Sequence, residues 1–279
     1  MLFLRVIIPS FLLSTSCTTA TPLTNLTSLA AREDAGPSRR GVAYNNPSFV
    51  KYFDQYGSHV TWMYNWDSST GATHTWHEFV PMLHSNRADV TGKWDANVKA
   101  AAMFNINSPT HLLGFNEPDN CDSWGGVCMD VDTAVDAWKQ YMEPHRALKS
   151  DMYLGSPAVT NGQKGLPWLV HFLVACDGCH VDFINIHWYD SALNVAYFKS
   201  HINEARKVAA GRPIWITEFK ASGSDEQVAA FLDEVLPWLD QSSDIHRYAY
   251  FMAATGDGLL IQNGGTGLSN VGQHFTFHA

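Results

Sequence analysis

Apolar residues along the chain fall into short runs separated by stretches of a different period. Eight runs read as strands: 41–45, 59–66, 78–83, 111–117, 152–156, 183–188, 213–219 and 247–252. Most are nearly continuous in apolar residues, as in a parallel sheet covered on both faces. Between the later runs the spacing changes to three and four. Val195, Phe198, Ile202, Ala205 and Val208 form one helical stripe; Val228, Phe231, Leu232, Val235 and Leu239 form another. A third stripe, through Ala134, Val135, Trp138, Tyr141 and Met142, runs up to Pro144, which bends or ends it. Only a short helical turn fits between the first two runs, and residues 67–76 read as a loop. Strands alternating with helices predict an α/β fold, a compact (β/α)8 TIM barrel with some early helices missing. The alternative, an open doubly wound sheet, favours a glycine-rich turn after its first strand. Asn45-Asn46-Pro47 is not one.

Two of these runs end in a carboxylate. Leu112-Leu113-Gly114-Phe115-Asn116 leads into Glu117-Pro118, and Ile214-Trp215-Ile216-Thr217 leads into Glu218-Phe219. A covered strand has little use for a charge along its length, but barrels place their chemistry at the C-terminal ends of strands. One such glutamate reads as readily as half of an ion pair. Two, on strands four and seven, suggest carboxylates working together on a glycosidic bond: a proton donor on one side of the sugar and a second carboxylate on the other.

Composition narrows the setting. Leu2 to Leu13 is a short apolar run followed by small residues, which predicts a signal peptide over 1–20 and is too short to span a bilayer. Residues 21–40 are Thr-, Ser- and Ala-rich and close on Arg39-Arg40; they read as a propeptide or linker, with cleavage expected after the dibasic pair. The remaining 41–279 then form one domain. Without the leader, 14 basic residues face 25 acidic ones, a formal charge of −11. That balance argues against a nucleic-acid partner. Of five cysteines, Cys121, Cys128, Cys176 and Cys179 lie in the domain. An even number in an oxidising compartment favours two disulfides, and the local pairing 121–128 with 176–179 is expected over the other two connectivities. A four-thiolate zinc site is the competing reading.

The set of motifs resembles a known family. Asn116-Glu117-Pro118 and Thr217-Glu218-Phe219 are similar to clan A glycoside hydrolases. Together with Gly41-Val42-Ala43-Tyr44-Asn45, Trp62-Met63-Tyr64-Asn65-Trp66 and His187-Trp188-Tyr189 they resemble glycoside hydrolase family 128, the fungal "glycosyl hydrolase catalytic core" proteins. The resemblance implies a secreted, extracellular or cell-wall enzyme cleaving internal β-1,3-glucosidic bonds with retention, Glu117 being the acid/base and Glu218 the nucleophile. It also implies a role for Asn116 in binding the sugar beside the scissile bond. The chemistry requires Glu117 to begin protonated, so its proton affinity is expected to be raised. Retention sets the carboxyl groups ~5–5.5 Å apart, against ~6.5–9.5 Å for inversion. Other β-glycans, transglycosylation and binding without catalysis remain open.

Further cleft candidates follow from strand alternation. Trp62, Tyr64 and Trp66 share a face; Trp62 reads as core, Tyr64 and Trp66 as sugar subsites. Asn185, His187 and Tyr189 share another, and one of them is expected to orient Glu218 or to bind a hydroxyl, a satisfied buried histidine being the alternative for His187. Tyr44 and Asn45 end strand one and are candidates for the cleft wall. Asn116 poses a difficulty: if Glu117 points into the cleft, regular alternation turns Asn116 away, and only a bulge or the end of pairing lets both reach it. His74, His77 and His84 lack the spacing of a metal site, so no metal or cofactor is expected. The expected partner is a β-glucan polysaccharide or oligosaccharide, engaged by a monomer away from any membrane.

Overall fold

The computed structural model describes residues 39–71, 76–104, 108–122, 125–147 and 152–278. The expected signal peptide, most of the expected propeptide, and His74 lie outside them. Eight parallel strands run β1 (Arg40–Tyr44), β2 (Val60–Tyr64), β3 (Glu78–Phe79), β4 (His111–Leu112), β5 (Tyr153–Leu154), β6 (Ile184–Ser191), β7 (Ile214–Ser222) and β8 (Ile245–Ala253). Six pair in the order β3-β2-β1-β8-β7-β6 and two as β4-β5. Bridges Met82–Leu113 and Gly155–Phe183 join the two sets and close the barrel. The third, fourth and fifth strands are shorter than their apolar runs: past the paired dipeptides the chain continues as isolated bridges.

The helices are α1 (Ala88–Phe104), α2 (Val131–Ala137), α3 (Gly165–Ala175), α4 (Val195–Ala209), α5 (Asp225–Gln241) and α6 (Asn270–Phe277). A 3-10 turn, Pro47–Phe53, is what stands between β1 and β2, and the described residues between β2 and β3 hold no helix. Helix α2 continues through a π turn, Trp138–Met142, into a 3-10 turn carrying Pro144. The two clearest stripes, on α4 and α5, lie inward as expected, and Ser224 caps α5 through a reciprocal capping box with Gln227. Both disulfides join the local pairs, Cys121–Cys128 and Cys176–Cys179.

Alternation along the strands sorts the apolar residues into two cores. Trp62, Tyr64, Leu113, Phe183, Trp215, Ala249 and Met252 fill the barrel. Met63, Leu112, Phe115, Ile184, Ile186, Ile216, Phe219, Tyr248 and Tyr250 face the helices. Gly41 is required where β1 passes the Trp62 ring: a Cβ there would stand 2.1 Å from the ring. Tyr44 faces the helical layer, opposite to Ala43, and bonds Thr70 through its hydroxyl. It is not a cleft residue, because β1 keeps strict alternation to its end. The strand also opens one residue early. Arg40 is 1% exposed, pairs with Asp240 at 2.9 Å and donates to the Tyr248 hydroxyl and the carbonyl of Phe275. Arg39 donates to the carbonyls of Leu239 and Ile245. Both arginines therefore belong to the fold, and a cut after Arg40 would remove these bonds.

The N-terminal mouth of the barrel holds a buried charge. Glu78 of β3 pairs with Arg247 of β8 at 2.5 Å and accepts from the backbone of Thr110, with His111 3.8 Å away. The Arg247 guanidinium stacks 4.6 Å from the Trp215 ring. Burial alone pushes the Glu78 carboxyl up, but the neighbouring His111 and the charge and hydrogen bond of Arg247 outweigh it and hold the group at about 2. A depressed carboxylate contributes stability above its unfolded value, near 4.5, that is lost as pH falls towards 2. The expected contribution at neutral pH is about 3 kcal/mol. In paired denaturation curves Glu78→Gln should lose roughly that much at pH 7, and the gap from the parent should shrink as pH falls from about 4.5 towards 2. An equal gap at both ends of that range would contradict this account.

Candidate active site

Glu117 and Glu218 face one another across the C-terminal mouth of the barrel. Each gets there by a break in strand regularity. Glu117 has φ of +45°, a left-handed conformation that is strained for a side chain with a Cβ, at a cost of about 1–3 kcal/mol. Its neighbour Asn116 is still in the ladder, bridged to Ala158, and the turn at Glu117 swings that side chain towards the same space. Both residues line one cavity of about 1000 Å³. Strand β7 solves the same problem with a bulge. The pairing with β6 steps from Ile186–Ile216 to His187–Glu218, leaving Thr217 without a ladder partner. Trp215 faces the barrel, Ile216 the helices, and Thr217 and Glu218 then both face inward before Phe219 returns to the helical layer.

His187 stands between the two carboxylates and is fully buried. Its Nδ1 lies 2.9 Å from Glu117 Oε1; its Nε2 lies 3.0 Å from Thr217 Oγ1 and 3.6 Å from Glu218 Oε1. One donor oxygen from each glutamate and a ring nitrogen of His187 fall within 4.8 Å of one another. The second oxygen of Glu117 accepts from Asn120 Nδ2 at 2.8 Å. Glu218 accepts from Trp66 Nε1 at 2.7 Å on one oxygen and from the Tyr189 hydroxyl on the other. The Tyr64 hydroxyl reaches it from below, 3.5 Å from Oε1, while donating to the Thr217 carbonyl.

The electrostatics follow from this packing. Burial pushes the Glu117 carboxyl up, but the His187 hydrogen bond and charge, with the Asn120 contact, carry it below the ordinary carboxylate range. Burial pushes His187 down, and the charges of Glu218 and Glu117 together with the Glu117 hydrogen bond more than reverse it. The free protein thus differs from the expectation of a raised Glu117, because a cation-forming ring sits against it. Desolvation and the charge of Glu218 raise the Tyr64 and Tyr189 hydroxyls far above their usual value, so both remain donors.

The remaining candidates divide. Trp66 and Tyr189 line the cavity, as does Asn45 at its rim. Tyr64 is fully buried and sits beneath Glu218, since barrel closure covers it; it is not a sugar-facing platform. Trp62 is core, as expected. Asn116 donates to the Gly125 carbonyl at 2.9 Å, and its Oδ1 has no hydrogen-bond partner among the described residues. Gly125 belongs to the loop clasped by Cys121–Cys128, so that disulfide supports the cavity wall.

Sequence reasoning passed over several lining residues. Asp119 lines the cavity and accepts from the backbone and hydroxyl of Thr160. Asn161, Gln163 and Lys164 follow on the same loop, and His84 and Phe251 complete other walls. A signal existed for the loop: Thr160-Asn161-Gly162-Gln163-Lys164 is a polar run just past β5, on the face where barrels carry function. The lining thus comes from the ends of β8, β1 and β2 on one side and of β4 and β5 on the other, around the two glutamates. Two carboxylates this close, one bonded to the His187 ring and one held by the Trp66 and Tyr189 donors, suit a split between proton donor and nucleophile.

Comparison with known proteins agrees with that chemistry. The model of the glycosyl hydrolase catalytic core matches residues 41–275. Alkali-sensitive linkage protein 1 of Schizosaccharomyces pombe is 34% identical over 250 residues, 84% of this chain and 44% of that protein, so the chain spans less than half of that relative's length. A curdlan-specific exo-β-1,3-glucanase of GH128 subgroup III from Blastomyces gilchristii, solved with glucose, is 36% identical with a TM-score of 0.76, over 87% of this chain and 99% of that one. A subgroup I endo-β-1,3-glucanase from Amycolatopsis mediterranei, solved with laminaripentaose, is 27% identical with a TM-score of 0.66, over 85% and 98%. With its barrel, its paired strand-end glutamates and these matches, the chain belongs to the glycosyl hydrolase catalytic core family, GH128.

Proposed function

We propose that the protein is a secreted, retaining β-1,3-glucanase that cleaves bonds inside the glucan chain, with Glu218 as nucleophile and Glu117 as acid/base. The observation that carries this reading is that Glu117 and Glu218 share one cleft, an oxygen of each lying within 4.8 Å of the other, which supports the close pairing a retaining enzyme uses. Glu218 attacks the anomeric carbon as Glu117 gives a proton to the departing oxygen. The glycosyl–Glu218 ester then breaks when water, deprotonated by Glu117, attacks the same carbon and frees the carboxylate. Trp66 Nε1–H and the Tyr189 hydroxyl donate to the two oxygens of Glu218 and hold the carboxyl in place for attack. The unpartnered Oδ1 of Asn116 is an acceptor for a sugar hydroxyl. Two disulfides suit export, and no helix among the described residues is long and apolar enough to cross a membrane.

His187 resolves the apparent conflict over Glu117. Neutral His187 beside protonated Glu117, and His187 cation beside ionised Glu117, hold the same number of protons. They differ by one transfer along a 2.9 Å contact, so the pair titrates as a unit. The acid proton is stored on the ring and is returned to Glu117 when the leaving oxygen arrives. The endo-acting relative at 27% identity favours attack within a chain. Attack from a chain end is the second reading, favoured by the exo-acting relative at 36% identity.

Reducing-end release from linear β-1,3-glucan, with β-1,4-glucan and mannan as controls, tests the reaction. The parent should act on the β-1,3 polymer, while Glu218→Gln should lose activity by about 10³-fold or more and still bind the polymer. No release from β-1,3-glucan, or turnover surviving the substitution, sinks the proposal. A ladder of oligosaccharides early in the digest supports internal attack, and glucose alone supports the chain-end reading.

The proton store makes a separate prediction. The pair keeps its proton until pH rises through the raised His187 value, so the alkaline limb of kcat/KM should lie above the ordinary 6.5 of histidine. In His187→Asn that limb should move to lower pH and kcat should fall about 10²-fold, with KM nearly unchanged. An unmoved alkaline limb would show that the ring only packs.

A further inference from the structure

Among the described residues, two groups bring three metal-ligating side chains within 4.8 Å of one another. One is the cluster of Glu117, His187 and Glu218. The other lies on the outside of the barrel: Asp233 of α5, with His274 of α6 and His278 at that helix's C-cap. The glycosidase reaction makes no use of it.

His278 follows His274 by four positions, one in the last turn and one at the cap, so the two side chains lie on one face of the helix end. Their rings lie 4.3 Å apart, and both turn Nδ1 towards a single atom, Asp233 Oδ1, at 3.2 Å and 2.9 Å. A tetrahedral zinc ion bound at ~2.0–2.1 Å sets its ligand atoms about 3.3 Å apart, so the two spacings from Asp233 Oδ1 are close to those of an occupied site. The backbone holding the pair is fixed from beneath. Arg40 of β1 donates to the carbonyls of Phe275 and His278. The three side chains are 22–52% exposed, which leaves an ion a route in and one coordination position for water. The C-terminal end of α6 adds the negative end of the helix dipole. Two imidazoles and one carboxylate suit zinc(II) and not the hard cations calcium and magnesium, which take oxygen donors.

We propose that Asp233, His274 and His278 form a zinc-binding site that ties α6 to α5. Binding moves each ring's proton from Nδ1 to Nε2, which a neutral imidazole accommodates as a tautomer change. The site is structural, since it lies outside the cavity and spans two helices that pack on one another.

The test is calorimetric titration of the whole, chelator-stripped protein with zinc chloride at pH 7.5, with magnesium chloride as control. The expected result is one zinc ion per chain, a raised Tm and no heat from magnesium. Asp233→Asn and His274→Ala should each weaken zinc binding by about tenfold or more, while glucan hydrolysis without added zinc stays at the parent level. Glu117→Gln should bind zinc as the parent does, which separates this site from the cleft. Absence of zinc binding overturns the proposal, and so does binding that ignores Asp233→Asn and His274→Ala or disappears in Glu117→Gln.

Discussion

Two carboxylates within 4.8 Å of each other, 7% and 4% exposed, repel strongly in a medium that screens poorly. The contact that makes them tolerable is His187. Its ring touches Glu117 through one nitrogen and approaches Glu218 through the other, so one proton on the imidazole serves both charges. Everything else at the mouth of the barrel fits around that ring. Strand β6 keeps strict alternation and delivers Asn185, His187 and Tyr189 inward on one face. Strands β4 and β7 must then bend to meet it, one through the left-handed backbone of Glu117 and the other through the bulge at Thr217. The strain in those two places is held by surrounding bonds: the Glu117 amide to the Ala158 carbonyl, and the Thr217 hydroxyl to His187.

This arrangement also explains why some of the site was legible in the chain and some was not. Where a strand is regular, period two is enough. Trp62 and Tyr64 share the inner face, and His187 and Tyr189 share theirs; Trp66 lies past the end of β2, with φ of +58°. The same rule, applied fully, excludes Tyr44, because Ala43 faces the barrel. Period two does not encode burial depth: Tyr64 lies on the inner face, but barrel closure sets it under Glu218 and out of reach of a sugar. Asn116 and Thr217 depend on backbone breaks that no local preference of their residue types specifies.

Helices show a similar divide. Stripes on α4 and α5 are visible because one face of each meets solvent. Helix α3, Gly165–Ala175, is apolar nearly throughout, so its period is hidden. In α1 the buried positions Trp94, Val98 and Ala101 are sparse among polar and small residues, and Gly92 weakens the pattern. By composition Arg40 belongs with the leader, yet its partners come from β8, α5 and the cap of α6. Only tertiary structure brings those together. The cysteines were the opposite case, since short spacing leaves local pairing the easiest closure.

The central claim is the division of labour between the two glutamates, and a covalent trap tests it most directly. A 2-deoxy-2-fluoro β-glucosyl donor with a good leaving group slows the second displacement and lets the glycosyl-enzyme accumulate. Mass mapping of the labelled protein should place one sugar on the peptide carrying Glu218. A label on Glu117 would reverse the roles. No label, together with product released in the inverted configuration, would contradict double displacement itself.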